Sequence, residues 1–179
     1  MILIISTCEE KIHEMEFVTP IENILKNKKI PFFTKHYKKI KEEDLTKADK
    51  IIITGTSLQD NAFLRDINYF KWIKSTNKPL LGICSGMQII LLTYKGKLGN
   101  KKEIGHYKEN FTNEFLGMKG ENEVYHLHNN YIALPKNFIS YTKSKIPQAV
   151  KHKEKEMYGV LFHPEVRNSQ LVEYFAEKI

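Results

Sequence analysis

The chain has 179 residues, 41% of them hydrophobic, enough for one globular domain with a sizeable core and little room for a second catalytic module. Its 28 Lys and Arg exceed 21 Asp and Glu, a formal charge of +7, but the lysines are scattered among acids, so nucleic-acid binding is not expected. The only two cysteines, Cys8 and Cys84, support neither a disulfide framework nor a four-cysteine zinc site, and a reducing cytoplasm fits them best.

In chain order, Met1-Ile2-Leu3-Ile4-Ile5 is too short for a signal sequence's apolar region and reads as a first buried strand. Short apolar runs over Ile2 to Ser6, Pro31 to Thr34, Ile51 to Thr54 and Leu80 to Ile83 predict buried parallel strands. Between the first two, Thr19-Pro20-Ile21-Glu22 combines an N-cap, a first-turn proline and a capping-box acid, opening a helix through Lys28. A second helix is expected over Asp66 to Ser75, and a third from Cys84 to about Tyr94, ended by Gly96. From Lys97 the pattern shifts to short alternating strands, with turn signals at Asn129-Asn130 and Pro135-Lys136-Asn137. An amphipathic helix over Ser169 to Lys178 closes the chain, and no internal repeat or linker divides residues 1–179. The order predicts one α/β domain around a mostly parallel sheet.

Two motifs carry chemistry. Gly82-Ile83-Cys84-Ser85-Gly86-Met87-Gln88 sets a cysteine between glycines, after a strand and before a helix, which is the pattern of a nucleophile elbow. Tyr158-Gly159-Val160-Leu161-Phe162-His163-Pro164-Glu165 is an apolar strand ending in a histidine and an acid. Because proline blocks helix continuation, His163 and Glu165 are expected on an extended strand end, facing one side. A free thiol needs help to ionise, from a helix N-terminus and an adjacent imidazole, and Cys84 is predicted to have both. His163 then serves as general base and Glu165 as its orienter. Cys8 lacks glycines and a paired histidine and reads as structural. His126 and His128 alternate along one strand, but no acid or cysteine ligand motif accompanies them, so no metal site is expected.

In these two motifs the chain resembles class I glutamine amidotransferases, whose signatures are G-x-C-x-G-x-Q and H-P-E. The segment from Gln148 to Val166 is most similar to the stand-alone glutaminase subunit of archaeal GMP synthase. The resemblance implies a flavodoxin-like open sheet with helices on both faces and a smaller antiparallel region in the second half. It implies hydrolysis of L-glutamine to glutamate and ammonia through a thioester on Cys84, with no cofactor and no membrane. Ammonia would pass to a separate synthetase of the ATP-pyrophosphatase type. Backbone N–H donors for the oxyanion are expected from Ser85 and from Gly55 and Thr56. There the family usually has Gly-Gly-Pro, and this chain has Gly55-Thr56-Ser57. A β-branched Thr56 resists a positive φ, so ordering of this loop by a partner is one expectation.

By the same resemblance Gln88, His128, Asn129 and Asn130 line the substrate pocket. The last three stand in Leu127-His128-Asn129-Asn130-Tyr131, where GMP synthases carry Ser-His-Gly-Asp, and a polar hairpin turn explains Asn129-Asn130 equally well. Two rival functions stay open. One is a γ-glutamyl peptide hydrolase using the same triad; the other is a non-catalytic regulatory subunit with a weakened oxyanion hole. A nucleotide-binding protein is disfavoured, since Ser6-Thr7-Cys8-Glu9-Glu10 supplies acids where phosphate-cradling glycines belong.

Overall fold

The computed structural model describes residues 1–179. Seven strands form one sheet in the order β2-β1-β3-β4-β9-β8-β7. The parallel part comprises β1 (Ile2–Ser6), β2 (Phe32–His36), β3 (Lys50–Ile53), β4 (Leu80–Ile83) and β9 (Met157–Val160). The antiparallel edge is β8 (Ala149–His152) and β7 (Phe138–Ser140). Because successive strand residues face opposite sides, each apolar strand feeds two cores. Ile2, Ile4, Ile52 and Leu81 pack on one face with Ile21 and Leu25 of α2 (Thr19–Asn27) and Phe175 of α7 (Ser169–Lys178). Leu3, Ile5, Ile51 and Leu80 pack on the other with Ile89 and Ile90 of α5 (Ser85–Thr93). Shorter helices are α1 (Glu14–Phe17), α3 (Glu42–Lys47), α4 (Ala62–Arg65) and α6 (Pro164–Arg167). No helix is long and apolar enough to cross a membrane.

The strands and the α2, α5 and α7 helices lie where the apolar patterns predict them, and the α/β class holds. Three expectations are corrected. The stretch expected as a helix over Asp66 to Ser75 is a 3₁₀ helix over Ile67–Lys74. Its aromatic and β-branched residues are weak α-formers, and bonds three residues apart, such as Tyr69 N–H to Asp66 O at 3.0 Å, take over.

The second correction concerns the region after Lys97, which is not a set of short strands. It is one long hairpin, β5 (Leu98–Phe115) with β6 (Met118–Ile132). The chain reverses at Leu116 and Gly117, both with positive φ (47° and 81°), as a two-residue hairpin turn of the primed kind requires. Asn129 and Asn130 are therefore strand residues and not a turn; Asn130 pairs with Asn100. Third, Glu165 does not continue a strand. Pro164 opens α6 at the position where a missing N–H costs nothing, so the proline starts a helical turn and His163 becomes its N-cap.

Candidate active site

Three adjacent parallel strands deliver the site from their carboxyl ends, where open α/β sheets bind ligands. After β4 the backbone turns abruptly into α5 through Cys84, whose φ of 50° and ψ of −106° lie outside the ordinary L-residue regions. Glycine on both sides makes this turn fit. A Cβ on Gly82 would stand 2.5 Å from the Gly86 carbonyl carbon, and one on Gly86 would collide with the Ile53 carbonyl of β3. The Cys84 N–H donates to Val160 O at 2.8 Å, tying the elbow to β9, and its thiol reaches Leu127 O at 3.5 Å.

His163 follows β9. Its N–H donates to Tyr125 O at 2.8 Å, and its ring Nδ1 lies 2.7 Å from Glu165 Oε1. Both side chains are 1% exposed. A helical turn thus does what an extended end was expected to do, bringing the acid back onto the imidazole. The other ring nitrogen, Nε2, is buried without a hydrogen-bond partner. Gly55 stands between base and nucleophile: a Cβ there would lie 2.7 Å from His163 Cε1 and 3.4 Å from Cys84 Cβ. Burial works against the imidazolium, but the charges of Glu165 and of Cys84 outweigh it and raise the His163 pKa well above its ordinary value. Such an arrangement suits a thiolate–imidazolium pair. Cys8, by contrast, is buried and pushed up to about 11, chiefly by desolvation, which makes it an inert thiol.

The loop after β3 takes a route different from the one expected for Gly-Gly. Thr56 does not adopt positive φ. Its hydroxyl donates to Asp60 Oδ2 at 2.7 Å, while Asp60 Oδ1 accepts from the Ala62 N–H at 3.2 Å. The N–H groups of Gly55 and Thr56 bond to no backbone acceptor, and that of Ser85 opens α5 directly after Cys84. Thr7 Oγ1 and Ser85 Oγ hydrogen-bond to each other at 2.9 Å, and both lie 3.1 Å from Thr54 O, which accepts from the hydroxyl whose proton is not used between them. Thr7 and Asp60 were missed from sequence. Asp60, in register to cap the turn at Ala62, was the more readable of the two.

Opposite the loop, the base of β6 closes a small cleft of about 270 Å³ lined by Thr56, Ser57, Cys84, Ser85, Gln88, His128, Asn129 and Asn130 among others. Gln88 Nε2 donates to Asn130 O at 3.1 Å, and its buried Oε1 is left without a partner. Asn129 Nδ2 donates to Leu58 O at 3.0 Å and Asn130 Nδ2 to Asn61 Oδ1 at 3.2 Å. All the residues expected in the pocket are thus brought together. The expectation that no acid accompanies His126 and His128 is corrected: strand pairing with β5 sets Glu103 opposite His128 and brings its carboxylate to both rings. Sequence spacing hid this because the acid comes from the neighbouring strand. Burial holds His126 down to about 4, with the His128 charge adding to it, and raises the Glu109 carboxyl.

Comparison with known proteins agrees with this geometry. The family model for glutamine amidotransferase class-I matches residues 14–178. A GMP synthase (glutamine-hydrolysing) from Spiroplasma kunkelii is 35% identical over 129 residues, 66% of this chain and 24% of the relative. A GMP synthase (glutamine-hydrolysing) subunit from Methanobrevibacter smithii is 32% identical over 110 residues, 57% of this chain and 58% of the relative. The chain therefore spans less than two thirds of the length of either curated relative. A crystal structure from Thermoplasma acidophilum, provisionally named as a GMP synthase subunit, superposes with a TM-score of 0.84 over 98% of this chain and 92% of its own, at 22% identity. That likeness establishes the fold. With the family model covering nearly the whole chain, and the elbow and His163–Glu165 in place, the chain belongs to the class I glutamine amidotransferase family.

Proposed function

We propose that this protein hydrolyses L-glutamine to glutamate and ammonia through a γ-glutamyl thioester on Cys84, and that a separate synthetase of the ATP-pyrophosphatase type, as in GMP synthases, receives the ammonia. The observation that carries it is the His163 ring, held at Nδ1 by Glu165 at 2.7 Å with Nε2 unpartnered on the side of a cysteine at a strained elbow. Glutamine enters the cleft with its side-chain amide toward Cys84 and its α-carbon groups toward Gln88, Asn129 and Asn130. The thiolate attacks the amide carbon, and the oxyanion is met by the N–H groups of Ser85 and of Gly55 or Thr56. His163 delivers its proton to the departing ammonia, then takes one from the water that opens the thioester. No step calls for a cofactor.

Two features support glutamine over a larger γ-glutamyl amide. The far wall of the cleft is tied by Asn129 to Leu58 and by Asn130 to Asn61, and Gln88 Oε1 is unsatisfied within it. The relatives' names point to GMP formation as the ammonia-consuming reaction. The test is intact-mass labelling by a glutamine-mimicking diazo-ketone, on wild type and Cys84→Ala, with and without L-glutamine. Glutamine-suppressible labelling at Cys84 is expected. No labelling while a general thiol reagent still modifies Cys84 overturns the reading, and labelling that only a γ-glutamyl peptide suppresses replaces it with peptide hydrolysis. Adding the synthetase is expected to change turnover; an unchanged rate removes the partner from the proposal.

A further inference from the structure

We propose that Glu103, His126 and His128 form a binding site for a divalent transition-metal ion of the zinc class, at the base of the β5–β6 hairpin behind the catalytic cleft. His126 and His128 are two residues apart on β6, so both point to one face, and Glu103 stands directly across from His128 on β5. His126 Nδ1 is 3.0 Å and His128 Nε2 3.2 Å from the same carboxylate oxygen, Glu103 Oε2. All three donor atoms lie within 4.8 Å of one another. Tetrahedral zinc, with ligand distances of about 2.0–2.1 Å, separates its donors by roughly 3.4 Å, so the two short edges of this triangle, 3.0 and 3.2 Å, need to open by only a few tenths of an ångström.

The surroundings match what metal-bound histidines need. The remaining nitrogen of His126, Nε2, faces Glu109 Oε1 at 3.6 Å, longer than a hydrogen bond but placed where an outer carboxylate orients a ligand ring. Tyr107 stacks flat on the His126 ring at 4.4 Å and 10°. Gln148 donates to Glu103 Oε2 at 3.1 Å, and its own Oε1 is buried without a partner.

The His126 and His128 side chains are 1% exposed, and His128 Nε2, one of the two proposed imidazole donors, makes no well-directed hydrogen bond. An orphaned buried polar group costs about 1–3 kcal/mol, a cost that an ion held at His128 Nε2 would offset. A surface cavity lined by Glu103, Glu109 and Gln148 reaches the Glu103 side of the cluster. An ion here also bears on the catalytic side. His128 adjoins Leu127, whose carbonyl meets the Cys84 thiol, and Glu103 sits at the register shift between Asn100 and Glu103. Binding would lock that shift and the strand that supplies Asn129 and Asn130.

The test uses the Cys84→Ala protein, which removes the active-site sulfur that would compete for the ion. After chelator stripping, Co²⁺ and Zn²⁺ are titrated against a chromophoric chelator. Stoichiometric binding with Co²⁺ bands of four-coordinate intensity, displaced by Zn²⁺, is expected. Glu103→Gln, close in shape, should weaken Zn²⁺ by more than about 100-fold, and Glu109→Gln by roughly 10- to 100-fold, as loss of an outer partner does. Zn²⁺ should also raise the Tm of the Cys84→Ala protein and leave that of the added Glu103→Gln variant unmoved. This second readout requires only that each variant melts cooperatively. No binding, binding indifferent to Glu103→Gln, or an equal Tm rise in both proteins overturns the site. None of these readouts depends on glutaminase activity.

Discussion

The two walls of the cleft are built by different physics. The wall of β3, β4 and β9 is close-packed on both faces, and its geometry is enforced by backbone meeting backbone, Gly82 on Gly86 and Gly86 on Ile53, and by the His163 ring lying against Gly55. The opposite wall is the base of a long hairpin whose β5 strand is largely solvent-facing, held to the loop and to α5 by neutral amide hydrogen bonds from Asn129, Asn130 and Gln88. Steric walls tolerate no added methyl group, whereas single neutral hydrogen bonds contribute about 0.5–1.5 kcal/mol each. The reacting atoms are thus placed by the rigid wall and the substrate by the adjustable one. The sharpest test of that division is Gly86→Ala, one methyl group added on the Ile53 carbonyl. It should destabilise the fold by about 1–3 kcal/mol or more and, by displacing Cys84, lower kcat by at least about 100-fold. Urea unfolding and steady-state glutaminase assays measure both, and a variant with wild-type kcat would show that the elbow has slack.

Next in size is Glu165→Gln, which keeps the shape of the rigid wall and removes its charge. Loss of the group that fixes the imidazole tautomer should cut kcat by about 1,000- to 10,000-fold with little change in KM. The same substitution changes the pH dependence of stability. The folded pKa of His163 is raised above 6.5 by Glu165 and Cys84 against the opposing effect of burial. Its contribution is therefore fully present below pH 6.5 and is lost as pH rises through the higher folded value. Urea midpoints of the wild type should fall over that interval, and those of Glu165→Gln should fall less. Parallel curves would mean that His163 is neutral in the resting protein.

The rigid wall was also the legible one. Strands, α5 and the elbow follow from apolar runs and two glycines, because steric and hydrophobic demands act on neighbouring residues and leave local patterns. The errors fall where the deciding contact is remote or the local rule has two outcomes. Pro164 ends a helix from its interior and begins one from its first turn, and sequence reasoning chose the wrong side. The hairpin reverses at Leu116-Gly117, which lacks the Asn-Gly or Asp-Gly signal, while Asn129-Asn130 carries turn-like residues inside a strand. Thr56 stays out of positive φ, as its β-branched side chain leads one to expect, but the bond that holds its hydroxyl, to Asp60 four residues on, has no signal in the local pattern. Glu103 beside His128 depends on a cross-strand register that no single-strand spacing displays.

The smallest expected effect lies on the adjustable wall. Asn129→Ala removes one donor, the 3.0 Å bond to Leu58 O, from a tie that Asn130 to Asn61 still holds. The loss should be about 0.5–1.5 kcal/mol of binding, read as a rise in KM of up to roughly tenfold, with kcat within about twofold of wild type. Asn130→Ala should behave alike in KM, because the Gln88 bond is made to its backbone carbonyl and survives the change. The split between KM and kcat is what decides. If either variant lowers kcat as far as Gly86→Ala does, the hairpin positions the reacting atoms as well as the substrate, and the contrast between the two walls fails.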